Sequence, residues 1–200
     1  MSAQKQLNYI SEDQYREGEE ISLEKHEWFA GEVYAMAGGT FNHTTICSNV
    51  GRFLGNRLAG RRCKARNGEQ RVKVEATGLN TYPDAVIFCP PSRFEGTGDS
   101  TLLTPTVIFE VLSQSTQNYD RTRKFDAYKL IETLTDYVLV EQDALRVEHF
   151  RRTSQGWLHV TLTEREAVLQ LENVEIELPL NEIYEELEFG ASETTTTASI

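Results

Sequence analysis

One short run limits the folds open to this chain: Thr106-Val107-Ile108-Phe109-Glu110-Val111-Leu112-Ser113. β-Branched and aromatic residues follow Pro105, and a polar Ser113-Gln114-Ser115-Thr116 exit closes the run, which is the composition of a buried strand. Side chains alternate along a strand, so Val107, Phe109 and Val111 face one way while Ile108, Glu110 and Leu112 face the other. An ionised carboxylate between Ile and Leu is strongly disfavoured without a partner. A cation, a basic side chain or a raised pKa must account for Glu110.

A second acid stands in a similar setting. Tyr82-Pro83-Asp84-Ala85-Val86-Ile87-Phe88-Cys89 reads as a strand opened by a proline and closed by Pro90-Pro91. A Gly-, Ser- and Thr-rich loop, Ser92 to Thr104, separates it from the first run, so the two strands can be neighbours. If Asp84 and Glu110 face one side, they form a hard, oxygen-rich site suited to Mg2+ or Mn2+. Such an ion can hold a water nucleophile and neutralise charge on a phosphoryl oxygen. On the helix that follows, Asp120, Lys124 and Tyr128 recur at intervals of four and share a face. Tyr128 belongs to the apolar stripe, which puts Lys124 at its edge, where an ammonium can orient water or stabilise developing charge. Each residue also has a plainer reading: Glu110 paired with a core base or tyrosine, Asp84 as a turn residue, and Asp120–Lys124 as a surface pair worth about 0.3–0.5 kcal/mol. The conjunction of the three is what favours chemistry.

The rest of the chain supplies a frame. Ser11 with Gln14 marks a capped helix running to about Gly18. His26–Met36 reads as two strands around an Ala30-Gly31 turn, with Trp28, Ala30, Val33 and Ala35 facing the sheet side. From about Asn42 to Ala59, Ile46, Val50, Phe53, Leu54 and Leu58 form a helical stripe, capped by Thr40 or Asn42 and ended by Gly60. Arg52, Arg57, Arg61 and Arg62 gather there, as a solvated helix end or a phosphate contact. Cys63–Arg66 and Arg71–Glu75 flank Asn67-Gly68, the pattern of a hairpin or of a bulge in one bent strand. Tyr119–Thr133 reads as a helix with Phe125, Tyr128, Leu130, Ile131 and Leu134 on its stripe, and Asp136–Glu141 as a strand. Three alternating segments, Arg146–Phe150, Trp157–Leu162 and Val174–Leu178, read as a meander, and Pro179 opens a short last helix. The expected organisation is a flexible stretch over residues 1–9, one domain over 10–188 and a disordered tail over 189–200. The fold class is α/β in the broad sense, an α+β mixed sheet with helices on each side or end.

A net charge of -11 argues against wrapping nucleic acid with the whole surface, while leaving room for a local basic cleft. Three cysteines without a CxxC pair read as free thiols in a reducing compartment. No basic leader and no apolar run approaching about 18 residues is present, so the expectation is a cytoplasmic protein with no membrane partner.

Tyr82-Pro83-Asp84-Ala85-Val86, Val107 through Thr116, and Tyr119-Asp120-Arg121-Thr122-Arg123-Lys124-Phe125 with Tyr128 together resemble the Uma-two family of putative restriction endonucleases. That family lies in the PD-(D/E)XK nuclease superfamily. The likeness continues through Asp136-Tyr137-Val138-Leu139-Val140, and upstream through Glu32–Gly38 and His43. It implies a helix–three-strand–helix–strand core, which the N-terminal hairpin and C-terminal meander read above would flank. It implies Asp84 and Glu110 as ligands of Mg2+ or Mn2+, with the Val111 carbonyl as a third. The lysine usual two residues after the glutamate is Leu112 here, and the resemblance gives its catalytic place to Lys124. Glu32, His43 and Asp120 are read as supporting residues. DNA is the implied substrate and a homodimer the implied assembly. The rival readings are a non-catalytic binding module that keeps the nuclease fold, and a purely structural role for the buried acids.

Overall fold

The structure is a computed structural model and describes residues 9–36 and 38–189. Residues 1–8 and 190–200 lie outside it, and with them most of the expected flexible ends. Phe189, read as the start of the tail, packs the edge of its ring against Tyr184.

Helix α1 (Glu12–Ile21) opens on the capping box read from Ser11 and Gln14. The hairpin β1 (His26–Phe29) and β2 (Glu32–Ala35) turns through Ala30 and Gly31, both at positive φ. Trp28 is buried there, but Ala30 and Ala35 are exposed. Helix α2 (Phe41–Leu58) starts at Thr40, whose side chain accepts from the His43 N–H, and buries the whole predicted stripe from Ile46 to Leu58.

The chain then enters two sheets. β3 (Lys64–Asn67), β6 (Ala85–Phe88) and β9 (Val107–Leu112) join β10 (Asp136–Glu141), β11 (Val147–Thr153) and β12 (Gly156–Leu162) in a central sheet ordered β12-β11-β10-β9-β6-β3. β4 (Arg71–Val74), β5 (Leu79–Thr81), β7 (Phe94–Glu95) and β8 (Thr101–Leu102) form a second sheet with the N-terminal hairpin. Within the central sheet, α2, the antiparallel trio β3-β6-β9, a helical stretch after β9 and the parallel strand β10 give the helix–three-strand–helix–strand order that the family resemblance implies.

Alternation along β9 decides which layer covers which face. Val107, Phe109 and Val111, with Ala85, Ile87, Val138 and Val140, pack on the α2 stripe and the C-terminal elements. Ile108 and Leu112, with Val86, Phe88, Tyr137 and Leu139, pack on Val72, Val74 and Leu79 of the second sheet and on Phe125 and Tyr128. A strand covered on both faces carries an apolar run rather than simple alternation. Leu54 is wholly buried in the first layer, so Leu54→Ala is expected to cost about 2–5 kcal/mol by chemical denaturation.

Four expectations are corrected. Asn67-Gly68 does not close a hairpin: β3 pairs with β6, whereas β4 pairs with β5 and β8, so the turn hands the chain from one sheet to the other. Cys63 and Cys89 are joined in a disulfide, because β3 and β6 pair Lys64 with Phe88 and bring the flanking cysteines together. Only Cys47 is a free thiol, so cysteine usage no longer argues for a reducing compartment. The meander stops at β12: β13 (Val168–Leu171) pairs with β14 (Ile176–Pro179) in a separate two-stranded sheet before α5 (Leu180–Ile183). Finally, the helix expected over Tyr119–Thr133 runs instead from Gln117 to Tyr128, as α3 (Gln117–Tyr119) and α4 (Phe125–Tyr128) continuous through a π-helical turn (Asp120–Lys124), and Leu130 is exposed beyond it. No described helix is long and apolar enough to cross a membrane.

Candidate active site

Register brings the two acids together. β6 and β9 are antiparallel with Ala85 opposite Phe109, and continuing that register by one residue sets Asp84 opposite Glu110. Asp84 sits just before β6 begins, and its Oδ2 accepts a hydrogen bond from the Val111 N–H at 2.7 Å. Its Oδ1 lies 3.5 Å from His43 Nε2, on the first turn of α2. Glu110 is buried in mid-strand, where its Oε1 accepts from the Tyr128 hydroxyl at 2.9 Å. Oε2 accepts no hydrogen bond among the described residues.

Lys124 comes from the π-helical turn, a widened turn often found at functional positions. The turn is held from outside: Arg121 bridges Glu141 and Glu148, and the Tyr137 hydroxyl donates to the Asp120 carbonyl. Lys124 therefore does not lie at the edge of the stripe. It is 4 % exposed, with its ammonium 2.8 Å from Glu27 Oε1, 3.0 Å from Glu110 Oε1 and 3.5 Å from Asp120 Oδ1. Asp120–Lys124 is thus an interior pair, not a surface one. The ammonium converges on Glu110, and Asp84 is not among its ion-pair partners. Leu112, on the same strand face as Glu110, fills the core where a lysine would otherwise emerge.

Glu27 escaped the sequence reading. It lies on β1, and its carboxylate also takes the Thr81 hydroxyl from β5. The signal was an acid between His26 and Trp28 in a strand, the same kind that singles out Glu110, but the partner that explains it is remote in sequence. Glu32, by contrast, is placed on β2 with the Tyr34 hydroxyl as its hydrogen-bond partner. Cys47, one turn after His43, has its Sγ 3.5 Å from His43 Nδ1.

Electrostatics follow from this crowding. Burial pushes the Glu110 carboxyl well up; Lys124 opposes the shift, while Asp120, Asp84 and Glu27 add to it. Asp120 rises for the same reasons. Burial alone would lower Lys124, yet Glu110, Glu27 and Asp120 hold its ammonium well above the ordinary lysine range. Burial also raises Asp84, but the hydrogen bond and charge of His43, the Val111 N–H and Lys124 bring it below the ordinary range. Asp84 raises His43 in return, and burial pushes the Cys47 thiol up.

A groove of about 460 Å³ opens beside Asp84 and Cys47, running between α2 and β3 past Gly51, Gly55 and Arg66. Of the basic cluster on and just after α2, Arg52 pairs with Glu185 and Arg61 with Glu175, Arg62 donates to the Pro90 carbonyl, and Arg57 stacks over Phe53.

The comparisons with known proteins agree with this architecture. The Uma2 family model, described as a putative restriction endonuclease, matches residues 13–181. Two uncharacterized proteins of Synechocystis sp. are similar: slr1290 is 32% identical over 181 residues, covering 90% of this chain and 94% of its own, and sll1609 is 31% identical over 171 residues, covering 85% and 93%. A crystal structure described as a putative nuclease belonging to DUF820, from Anabaena variabilis, superposes with a TM-score of 0.68 at 16% identity, covering 87% of this chain and 97% of that one. At that identity the likeness is one of fold.

Proposed function

The chain belongs to the Uma2 family of putative restriction endonucleases, and from that premise we propose that it hydrolyses phosphodiester bonds of DNA with a divalent metal ion. The observation that carries the reading is a shortage of positive charge inside the site. Glu27, Glu110 and Asp120 surround one ammonium, and Asp84 stands beside them with His43 as its ion-pair partner among the described residues. Buried carboxylates in such excess call for a cation or for protonation. The donor set fits Mg2+ or Mn2+: Asp84 and Glu110 are hard oxygen ligands, and Glu110 Oε2 accepts no hydrogen bond among the described residues; Val111 meets Asp84 through its N–H.

When bound, such an ion would activate water and neutralise charge on the phosphoryl group. The chain's own residues would do the remainder. Lys124 would keep Glu110 oriented through Oε1 and present a fixed positive charge to water or a phosphoryl oxygen. Tyr128 would hold the same carboxylate oxygen, and His43 would hold Asp84. The groove beside Asp84 would receive the scissile strand, with Arg66 on its wall. Two such sites would cut both strands of a duplex together, so a homodimer belongs to the same proposal.

The direct test is cleavage of plasmid and linear DNA with Mg2+ or Mn2+, against EDTA. Metal binding can be followed without cleavage. The raised Glu110 carboxyl keeps its proton above the pH at which the unfolded chain loses it, so metal-free stability falls as pH rises through that window. A cation must displace the proton, so metal-induced stabilisation should grow over the same window. At about 100 times Kd the gain is about 2.7 kcal/mol, or roughly 5–11 °C in Tm for a chain of this size. An unchanged Tm with Mn2+ at every pH would favour a second reading, a binding module that keeps the fold. The contact that favours it is the Lys124–Glu110 ion pair, which already satisfies one carboxylate oxygen.

A further inference from the structure

We propose that His43, Cys47 and Asp84 form a binding site for a borderline transition-metal ion, of which zinc(II) is the natural occupant class and cobalt(II) the spectroscopic substitute. The proposal shares Asp84 and His43 with the nuclease reading but does not rest on it. His43 and Cys47 are four residues apart on α2, so both side chains leave the same helix face. Asp84 approaches that face from the start of β6. One donor atom from each of the three lies within 4.8 Å of the other two. The imidazole places Nδ1 at 3.5 Å from Cys47 Sγ and Nε2 at 3.5 Å from Asp84 Oδ1. Metal–ligand bonds of about 2.0–2.3 Å at tetrahedral angles separate neighbouring donors by roughly 3.3–3.8 Å. The two 3.5 Å contacts use opposite nitrogens of the His43 ring, so one shared ion takes a turn of that ring within a triad whose donors already lie inside 4.8 Å.

Donor chemistry separates this site from the all-oxygen pair. Nitrogen and sulfur beside one carboxylate select zinc-like ions over Mg2+. The thiol is available, because Cys63 and Cys89 are bonded to each other while Cys47 is free. All three side chains are partly exposed, and Cys47 and Asp84 line the groove. Three protein ligands and an open side leave a coordination position for water or a phosphate oxygen. The helix turn carrying His43 is fixed, since Thr40 bonds the Gln142 side chain and Asn42 donates to the Gln142 carbonyl at 3.0 Å. As the metal–sulfur bond forms, the Cys47 S–H proton passes to solvent, so affinity rises with pH.

The test is titration of metal-stripped, full-length protein with Co2+ under anaerobic conditions. The expected result is a sulfur-to-cobalt charge-transfer band in the near ultraviolet with intense visible bands of low-coordinate Co2+, all displaced by Zn2+. Cys47→Ser should abolish the charge-transfer band, and His43→Gln should weaken binding at least tenfold. Glu110→Gln should keep the band, which separates this site from the oxygen pair. A wild-type spectrum without the charge-transfer band, or a band that persists in Cys47→Ser, overturns the proposal. Circular dichroism of each variant checks that it folds, and the paired His43 and Cys47 variants keep the test decisive if one does not. The readout is independent of cleavage, so failure of the site and failure of the nuclease reading are separate results.

Discussion

Asp84→Asn and Glu110→Gln are each expected to lower Mg2+- or Mn2+-dependent DNA cleavage by about 10³-fold or more. The magnitude follows from the several kcal/mol of charge stabilisation a ligated ion supplies, about 4 kcal/mol being about a thousandfold in rate. Both substitutions keep the shape of the side chain. Asp84→Asn can still accept the Val111 N–H, and Glu110→Gln can still accept the Tyr128 hydroxyl, so neither removes a packing contact. Glu110→Gln also relieves part of the repulsion from Asp120, Asp84 and Glu27 that holds the carboxyl up. It should therefore be no less stable than the parent without metal, while losing the metal-induced rise in Tm. Plasmid cleavage, measured with Tm at the same pH, checks both halves. Full activity in either variant would remove the metal role from that residue.

What the sequence revealed depended on how local the determinant was. The β9 run, the strand from Ala85 and the α2 stripe could be read directly, because each is a continuous apolar pattern whose burial needs no knowledge of its partner. The pairing of Asp84 with Glu110 was legible for the same reason, as two acids each set against an apolar strand. The π-helical turn was not, since a spacing of four residues fits an ordinary helix equally well, and the wider turn is tied to the sheet by Arg121 reaching out to Glu148 and by Tyr137 reaching in. Glu27 was missed because its meaning comes from Lys124, nearly a hundred positions later. The disulfide needed the β3–β6 register, and Asn67-Gly68 misled because a turn that changes sheets has the same local chemistry as one that closes a hairpin.

Lys124 carries the other large expected effect, on stability as well as on rate. Lys124→Met removes the ammonium that Glu27, Glu110 and Asp120 share and leaves buried carboxylates without a counter-charge. Breaking a buried pair from one side typically costs about 3–5 kcal/mol, or roughly 6–20 °C in Tm. The sign with pH is fixed. The Lys124 pKa is raised, so its contribution is complete below the ordinary lysine range and is lost only as pH rises through its folded value. In Lys124→Met the carboxyls can take up protons instead, so the deficit should be largest at alkaline pH and shrink as pH falls towards the ordinary carboxylate range. Adding Glu27→Gln should restore part of the loss, and the double-mutant cycle would give their coupling. Measured well below the variant's Tm, cleavage should still fall by about 10²–10³-fold if the ammonium also stabilises charge at the phosphoryl group. A variant that loses stability but cleaves at the parent rate while folded would make Lys124 a structural counter-ion. The lysine-for-leucine exchange between positions 124 and 112 would then have no catalytic meaning, and Asp84 with Glu110 would have to act without an ammonium.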